Sequence, residues 1–264
     1  MYEAEGKTAV AAALRGGAEV LRHYRAGAPA KDKADGSPLT QADLDSEAAI
    51  RATIAAAFPA DAIRGEEGAD ERARDAGRLW IVDPLDGTRD FVARTGDFAV
   101  CVGFSVAGQA VAGAVFHPTA DALYEASLDG GAWKTAAGAR TRLAVSDRRG
   151  LRVGVSRFVV PDNLAAFVAA AGFAEVHHVG ACIKMLAVAE GALDATVCLH
   201  SRENEWDTCA MDILIREAGG AITDVDGQPF VYGRADVRHR RGIVISNGTD
   251  HAALCARAAP FFQP

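Results

Sequence analysis

Apolar positions recur at helical spacing near the start of the chain, where Val10, Leu14, Ala18 and Leu21 share one face and the pattern breaks at Gly27. After a polar loop over residues 31–38, Leu44, Ile50, Ile54 and Phe58 mark a second helix, which Pro59 ends. Residues 65–77 are dense in charge and glycine and read as a loop. Leu79-Trp80-Ile81-Val82 is a short unbroken apolar run, which predicts a buried strand that stops at Asp83-Pro84. From Phe98 to His117 the pattern is strand-like, through Val100, Val102, Val106, Val111, Val115 and Phe116, with Ala107-Gly108 placed for a hairpin turn. Residues 122–128 and 131–135 continue the strands. The second half alternates. It is strand-like at 151–156, 195–199 and 242–246, and helical at 163–171, 183–190 and 208–218.

This order predicts an α+β first half, with two helices against an antiparallel sheet, and an α/β second half. The boundary falls near residues 146–150, which divides the chain into 1–146 and 147–264. The length of 264 residues fits one large domain or two packed halves. With 50% hydrophobic and 24% charged residues, the chain is neither disordered nor a repeat fibre. The formal charge of -7 argues against a non-specific binder of nucleic-acid polymers. Five scattered cysteines with no C-x-x-C pair read as reduced, buried thiols of a cytoplasmic protein. Neither a secretory signal nor a membrane span is expected.

The sharpest motif is Trp80-Ile81-Val82-Asp83-Pro84-Leu85-Asp86-Gly87-Thr88. An apolar strand delivers two carboxylates, three residues apart, to its C-terminal end. Hard anionic ligands so placed suit magnesium, and the amides that follow are open to a phosphate. Taken alone, the same residues also make an Asx-capped turn. Gly65-Glu66-Glu67-Gly68 alone is a surface acidic loop. Asp207 in Glu205-Trp206-Asp207-Thr208 opens an amphipathic helix closed by Gly219-Gly220, where an acid is also favoured by the helix dipole. Residues 33–43 read as a loop with Asp43 as a helix-start acid.

Together these segments resemble the inositol-monophosphatase-like superfamily of magnesium-dependent, lithium-sensitive phosphomonoesterases, from about Leu14 to Ser246. Three separated signatures stand in the right order: Gly-Glu-Glu, the Asp-Pro-Leu-Asp-Gly-Thr strand end, and Trp-Asp-x-x-Ala with a terminal Glu-Ala-Gly-Gly. Within it the chain looks most like the 3'(2'),5'-bisphosphate nucleotidase group, on its Ser-Pro-Leu-Thr-x-Ala-Asp loop, Asp86 to Phe91, His117-Pro118, Tyr124-Glu125-Ala126, Lys184 and Glu205 to Thr208.

The resemblance implies a layered αβαβα sandwich of the sugar-phosphatase type, with the site between the halves. It implies roughly two to three magnesium ions held by Glu66, Asp83, the Leu85 carbonyl, Asp86 and Asp207, with Asp83 bridging. Asp43 and Thr88 would position and help deprotonate the attacking water, and the Gly87 and Thr88 amides would contact the phosphate. Arg89, Gly180, Ala181 and Lys184 are further substrate-binding candidates. The expected partner is a small phosphorylated metabolite, with neither a nucleic-acid polymer nor a membrane, and relatives suggest a homodimer.

The chain departs from the family pattern in two places. Gly180-Ala181-Cys182 stands where Gly-Ser-Ser is usual, and His200 to Asn204 match neither the inositol nor the nucleotide subgroup. Inositol monophosphate and histidinol phosphate are therefore rival substrates, and a catalytically silent metal or phosphate binder is the alternative from another class. A haloacid-dehalogenase-type phosphatase needs its two aspartates two residues apart, and Asp83 and Asp86 do not fit. His177-His178, the basic run 234–241 and Cys209 read as strand or loop, solvated loop and core.

Overall fold

A computed structural model describes residues 1–27, 30–32, 38–68, 73–74, 76–148, 152–160 and 162–264. The first half runs α1 (Glu3–Ala26), β1 (Ala30–Asp32), β2 (Pro38–Thr40), α2 (Gln41–Ala57), β3 (Ala62–Gly65), β4 (Arg78–Asp86), α3 (Thr88–Ala93), β5 (Ala99–Val106), β6 (Gln109–His117), β7 (Ala122–Ser127), β8 (Gly131–Ala136) and β9 (Ala139–Arg142). The second runs β10 (Arg152–Ser156), α4 (Leu164–Ala171), β11 (Glu175–Val179), α5 (Ile183–Ala189), β12 (Ala195–Cys198), α6 (Glu205–Glu217), β13 (Ala221–Thr223), β14 (Ile243–Ser246) and α7 (His251–Ala258).

Strands β3 to β9 form a seven-stranded sheet in chain order, antiparallel except for the parallel pair β3–β4. A five-stranded sheet has the order β11-β10-β12-β14-β13, with its first three strands parallel to one another. Helices α1 and α2 cover one face of the large sheet, and α5 and α6 lie between the two sheets. Helices α4 and α7 close the outer face of the small sheet. The result is the αβαβα sandwich. Within β4, Trp80 and Val82 enter the core under α1 and α2, while Leu79 and Ile81 enter the core under α6. Burial on both faces is why the strand reads as a continuous apolar run.

Helix α6 approaches the large sheet closely because Gly103 of β5 and Gly113 of β6 stand opposite each other in register. A Cβ on Gly103 would lie 2.6 Å from Cys209 Sγ, and one on Gly113 would lie 3.0 Å from Ala210 Cα. Cys209 is thus a small core residue, as its context predicted.

Several expectations need correction. The buried face of α1 is Ala9, Ala12, Ala13, Gly16, Gly17 and Val20, and Leu14 is exposed. The helix packs through its smallest residues: a Cβ on Gly17 would lie 2.2 Å from Phe116 Cδ1. Leu44 of α2 is exposed for the same reason, since Ala42, Ser46 and Ile50 face inward. Strand β4 does not stop at Asp83. It continues to Asp86 through a register shift between the two aspartates. Strands β3, β9, β11 and β13 and helix α7 carried too short or too mixed a pattern to be anticipated. Residues 30–32 and 38–40 pair as an antiparallel ribbon inside the expected polar loop, of which 33–37 lie outside the described residues.

Candidate active site

The irregularity in β4 builds the site. The Leu85 N–H donates to Asp83 Oδ1 at 3.0 Å, and Ser46 Oγ of α2 donates to the Pro84 carbonyl at 2.8 Å. These bonds fix the turn so that Asp83 is fully buried and Asp86 lies at the rim. Gly87 then takes a φ of 90°, a left-handed conformation that favours glycine, and α3 starts at Thr88.

Asp43 satisfies both of its readings at once. Its Oδ2 accepts the Thr40 N–H at 2.8 Å and the Thr40 hydroxyl at 2.7 Å, closing a capping box on α2. Its Oδ1 faces the Thr88 hydroxyl at 3.1 Å, and the same hydroxyl lies 3.1 Å from the Leu85 carbonyl oxygen. Helix α2 therefore holds a fully buried carboxylate against the end of β4.

Asp207 is delivered by the other half. It caps α6 together with Asn204, whose N–H donates to Asp207 Oδ2 at 2.5 Å. Carboxylate oxygens of Asp83, Asp86 and Asp207 lie within 4.8 Å of one another. Burial, followed by the charges of Glu66, Asp86 and Asp207, pushes the Asp83 carboxyl well above its ordinary range. Burial and then Glu203 and Asp86 do the same to Asp207. Such mutual repulsion among buried oxygens is what a hard divalent cation relieves, so the residues present fit one. Glu66 is half-buried in the turn after β3, close enough to act on Asp83 and Asp207.

The loop over residues 180–182 covers the end of β4. A Cβ on Gly87 would lie 2.7 Å from Ala181 Cβ, and the Cys182 N–H donates to Asp86 Oδ2. The Gly180 N–H donates to Asp97 Oδ2 at 3.2 Å, and Arg157 bridges Asp90 and Asp97. Lys184 is buried, with its ammonium donating to the Ala181 carbonyl at 2.6 Å. Burial opposes its charge, but Cys198, Glu203 and Asp86 outweigh that and hold it protonated. Arg89 is exposed and makes no hydrogen bond or ion pair to a described residue. The structure thus gathers Asp43, Glu66, Asp83, Leu85, Asp86, Gly87, Thr88, Gly180, Ala181, Lys184 and Asp207 at one place, with Arg89 at its edge.

Three supporting side chains, Glu47, Arg64 and Glu203, were given no role by the sequence. Glu47 of α2 accepts the Glu67 N–H at 2.8 Å and Arg51 Nε at 2.7 Å, so the Gly65–Gly68 turn wraps around it. Its only signal was a charge at core spacing from Ile50 and Ile54. Arg64 pairs with Glu205 in the interior, and Glu203 lies near Asp86, Asp207 and Lys184. His177 and His178 lie exposed on edge strand β11. In the basic run, Arg240 and Arg241 pair with Asp236 and Asp226.

The inositol monophosphatase family pattern matches residues 2–260. The chain belongs to this family. Its members hydrolyse phosphoric monoesters, and the chain is an enzyme of that class. It is 32% identical over 205 residues to the 3'(2'),5'-bisphosphate nucleotidase CysQ of Escherichia coli (strain K12), covering 76% of this chain and 81% of that one. It is 32% identical over 259 residues to the histidinol-phosphatase of Mycobacterium tuberculosis (strain H37Rv), covering 94% and 96%. The crystal structure of CysQ from Bacteroides thetaiotaomicron superposes with a TM-score of 0.79 at 29% identity, covering 93% of this chain and 98% of that one. No helix among the described residues is long and apolar enough to cross a membrane.

Proposed function

We propose that the protein is a magnesium-dependent 3'(2'),5'-bisphosphate nucleotidase, converting 3'-phosphoadenosine 5'-phosphate to AMP and phosphate. Hydrolysis by an activated water is supported above all by the Asp43–Thr88 pair, set beside the Asp83, Asp86 and Asp207 carboxylates. Glu66, Asp83, the Leu85 carbonyl, Asp86 and Asp207 would hold the magnesium ions. Bound there, the ions supply positive charge to the phosphate and leaving oxygens and lower the pKa of a water.

The chain's own residues do the rest. The Thr88 hydroxyl orients the water and accepts its proton while passing its own to Asp43 Oδ1, and Asp43 Oδ2 stays fixed by Thr40. The Gly87 and Thr88 amides receive the phosphate. Ala181, held over Gly87, limits the space beside it. Arg89 is available for a second phosphate, and Lys184 supports the covering loop from beneath. In-line attack by water leaves no covalent enzyme intermediate.

The nucleotidase reading rests on similarity to the CysQ proteins. Histidinol phosphate is the second reading, favoured by a relative of equal identity that aligns along 94% of the chain. Phosphate release with and without magnesium is the test, from 3'-phosphoadenosine 5'-phosphate, histidinol phosphate, inositol 1-phosphate and fructose 1,6-bisphosphate. Preference for the first supports the nucleotidase. Preference for another keeps the site and replaces the substrate. No magnesium-dependent release from any of them would overturn the nucleotidase reading and leave either a substrate outside this panel or a silent binder.

A further inference from the structure

Two thiols lie directly beneath the carboxylate cluster. Cys101 of β5 stands in register opposite Asp83 of β4, and Cys182 comes from the loop where the family resemblance leads one to expect a serine. Both are buried, and their sulfurs are 3.7 Å apart. A carboxylate oxygen of Asp86 lies within 4.8 Å of both. The backbone bond from Cys182 to Asp86 ties that carboxylate to the thiol pair.

We propose that Cys101, Cys182 and Asp86 form a site for a thiophilic divalent cation of the zinc class, sharing Asp86 with the magnesium cluster. Tetrahedral zinc with metal–sulfur bonds of about 2.3 Å places its two sulfurs about 3.8 Å apart, which is the separation the fold already imposes. A serine at position 182 would offer a hard hydroxyl, whereas the cysteine offers a ligand that zinc, cadmium and cobalt prefer over magnesium. On binding, each thiol loses one proton to solvent and gains one metal–sulfur bond, with no change of oxidation state. Because Asp86 cannot serve both ions fully, occupation by zinc displaces magnesium. That inhibitory consequence rests on the function proposed above; the site itself does not.

The test uses the full-length, reduced protein. Cobalt titration is expected to give a sulfur-to-metal charge-transfer absorption that is weakened at least about twofold in both Cys101→Ser and Cys182→Ser and unchanged in Cys255→Ser. X-ray absorption of the zinc-loaded wild type is expected to show two sulfur neighbours at about 2.3 Å. Only oxygen and nitrogen neighbours would overturn the proposal, even where a variant fails to fold. So would a charge-transfer band of full intensity in both variants, or one lost only in Cys198→Ser, which would move the sulfur ligand to the Cys198, His200 and Glu203 group. With magnesium fixed, the zinc concentration for half inhibition is expected to rise at least roughly tenfold in Cys101→Ser, the loss of one thiolate ligand. If no phosphatase activity exists, the spectra still decide the site.

Discussion

Single residues carry two duties in this site, and their variants separate them. Asp83 is buried among like charges, so its carboxyl is raised in the folded state above its unfolded value. Its contribution to stability is therefore present at low pH and is lost as pH rises through the folded value. Asp83→Asn is expected to reduce turnover to background and, in chelator at neutral pH, to melt at a higher temperature than wild type. Calorimetry with and without magnesium checks this, and a lower melting temperature in chelator would contradict the repulsion argument. Asp43→Asn keeps an acceptor for Thr40 but removes the proposed base, so turnover is expected to fall by about 10²–10⁴ while magnesium activation shifts little. An equal loss of both would make Asp43 a ligand or a purely structural cap. That Asp43, Asp83, Asp86 and Asp207 would meet was legible because they stand in spaced motifs. Glu47 and Glu203 were not legible, since each acts only through a neighbour brought near by folding.

At the scale of elements, the distance between the two halves of the site is held by the Arg64–Glu205 pair. Arg64 sits two residues before Glu66 on β3, and Glu205 sits two before Asp207 on α6. Burial pushes the Glu205 carboxyl up, even against the lowering effect of Arg64. Arg64→Met alone should cost about 3–5 kcal/mol, because it strands a buried charge. Arg64→Met with Glu205→Met should recover most of that stability while leaving a raised magnesium requirement. Denaturant titration and the magnesium dependence of turnover measure the two effects. Helix positions followed from periodicity, but the face that α1 buries did not. Apolar spacing pointed to Leu14, whereas close approach to Phe116 and Ile50 selects Gly16 and Gly17.

Across the whole molecule, His239 links the basic loop to the inter-sheet layer. Its ring packs against that of Phe230, tilted by 42° with centroids 4.1 Å apart, and Nε2 lies 2.6 Å from the Thr208 hydroxyl of α6. Burial lowers its pKa from 6.5 to about 4. Between those values the unfolded chain binds the proton and the folded one does not, so stability falls as pH falls through that window. Wild type is expected to lose about 2 kcal/mol between pH 7 and pH 5 from this group. His239→Gln should lack that component, as denaturant titrations at the two pH values would show. An identical pH slope in the variant would mean that the ring is protonated when folded.

Sequence alone determined the α/β class, most of the longer elements, the family and the residues expected to meet at the site. These follow from local spacing: an apolar run fixes a strand, a cap fixes a helix start, and short motifs fix ligand order. Tertiary structure decided which helical faces are buried, that β4 continues to Asp86, and which charges support the site from behind. It also decided that Cys101 and Cys182, 81 positions apart, touch beneath Asp86. Those outcomes depend on the approach of segments distant in the chain, where a single Cβ or a shared carboxylate sets the geometry, and no periodicity along one segment encodes them.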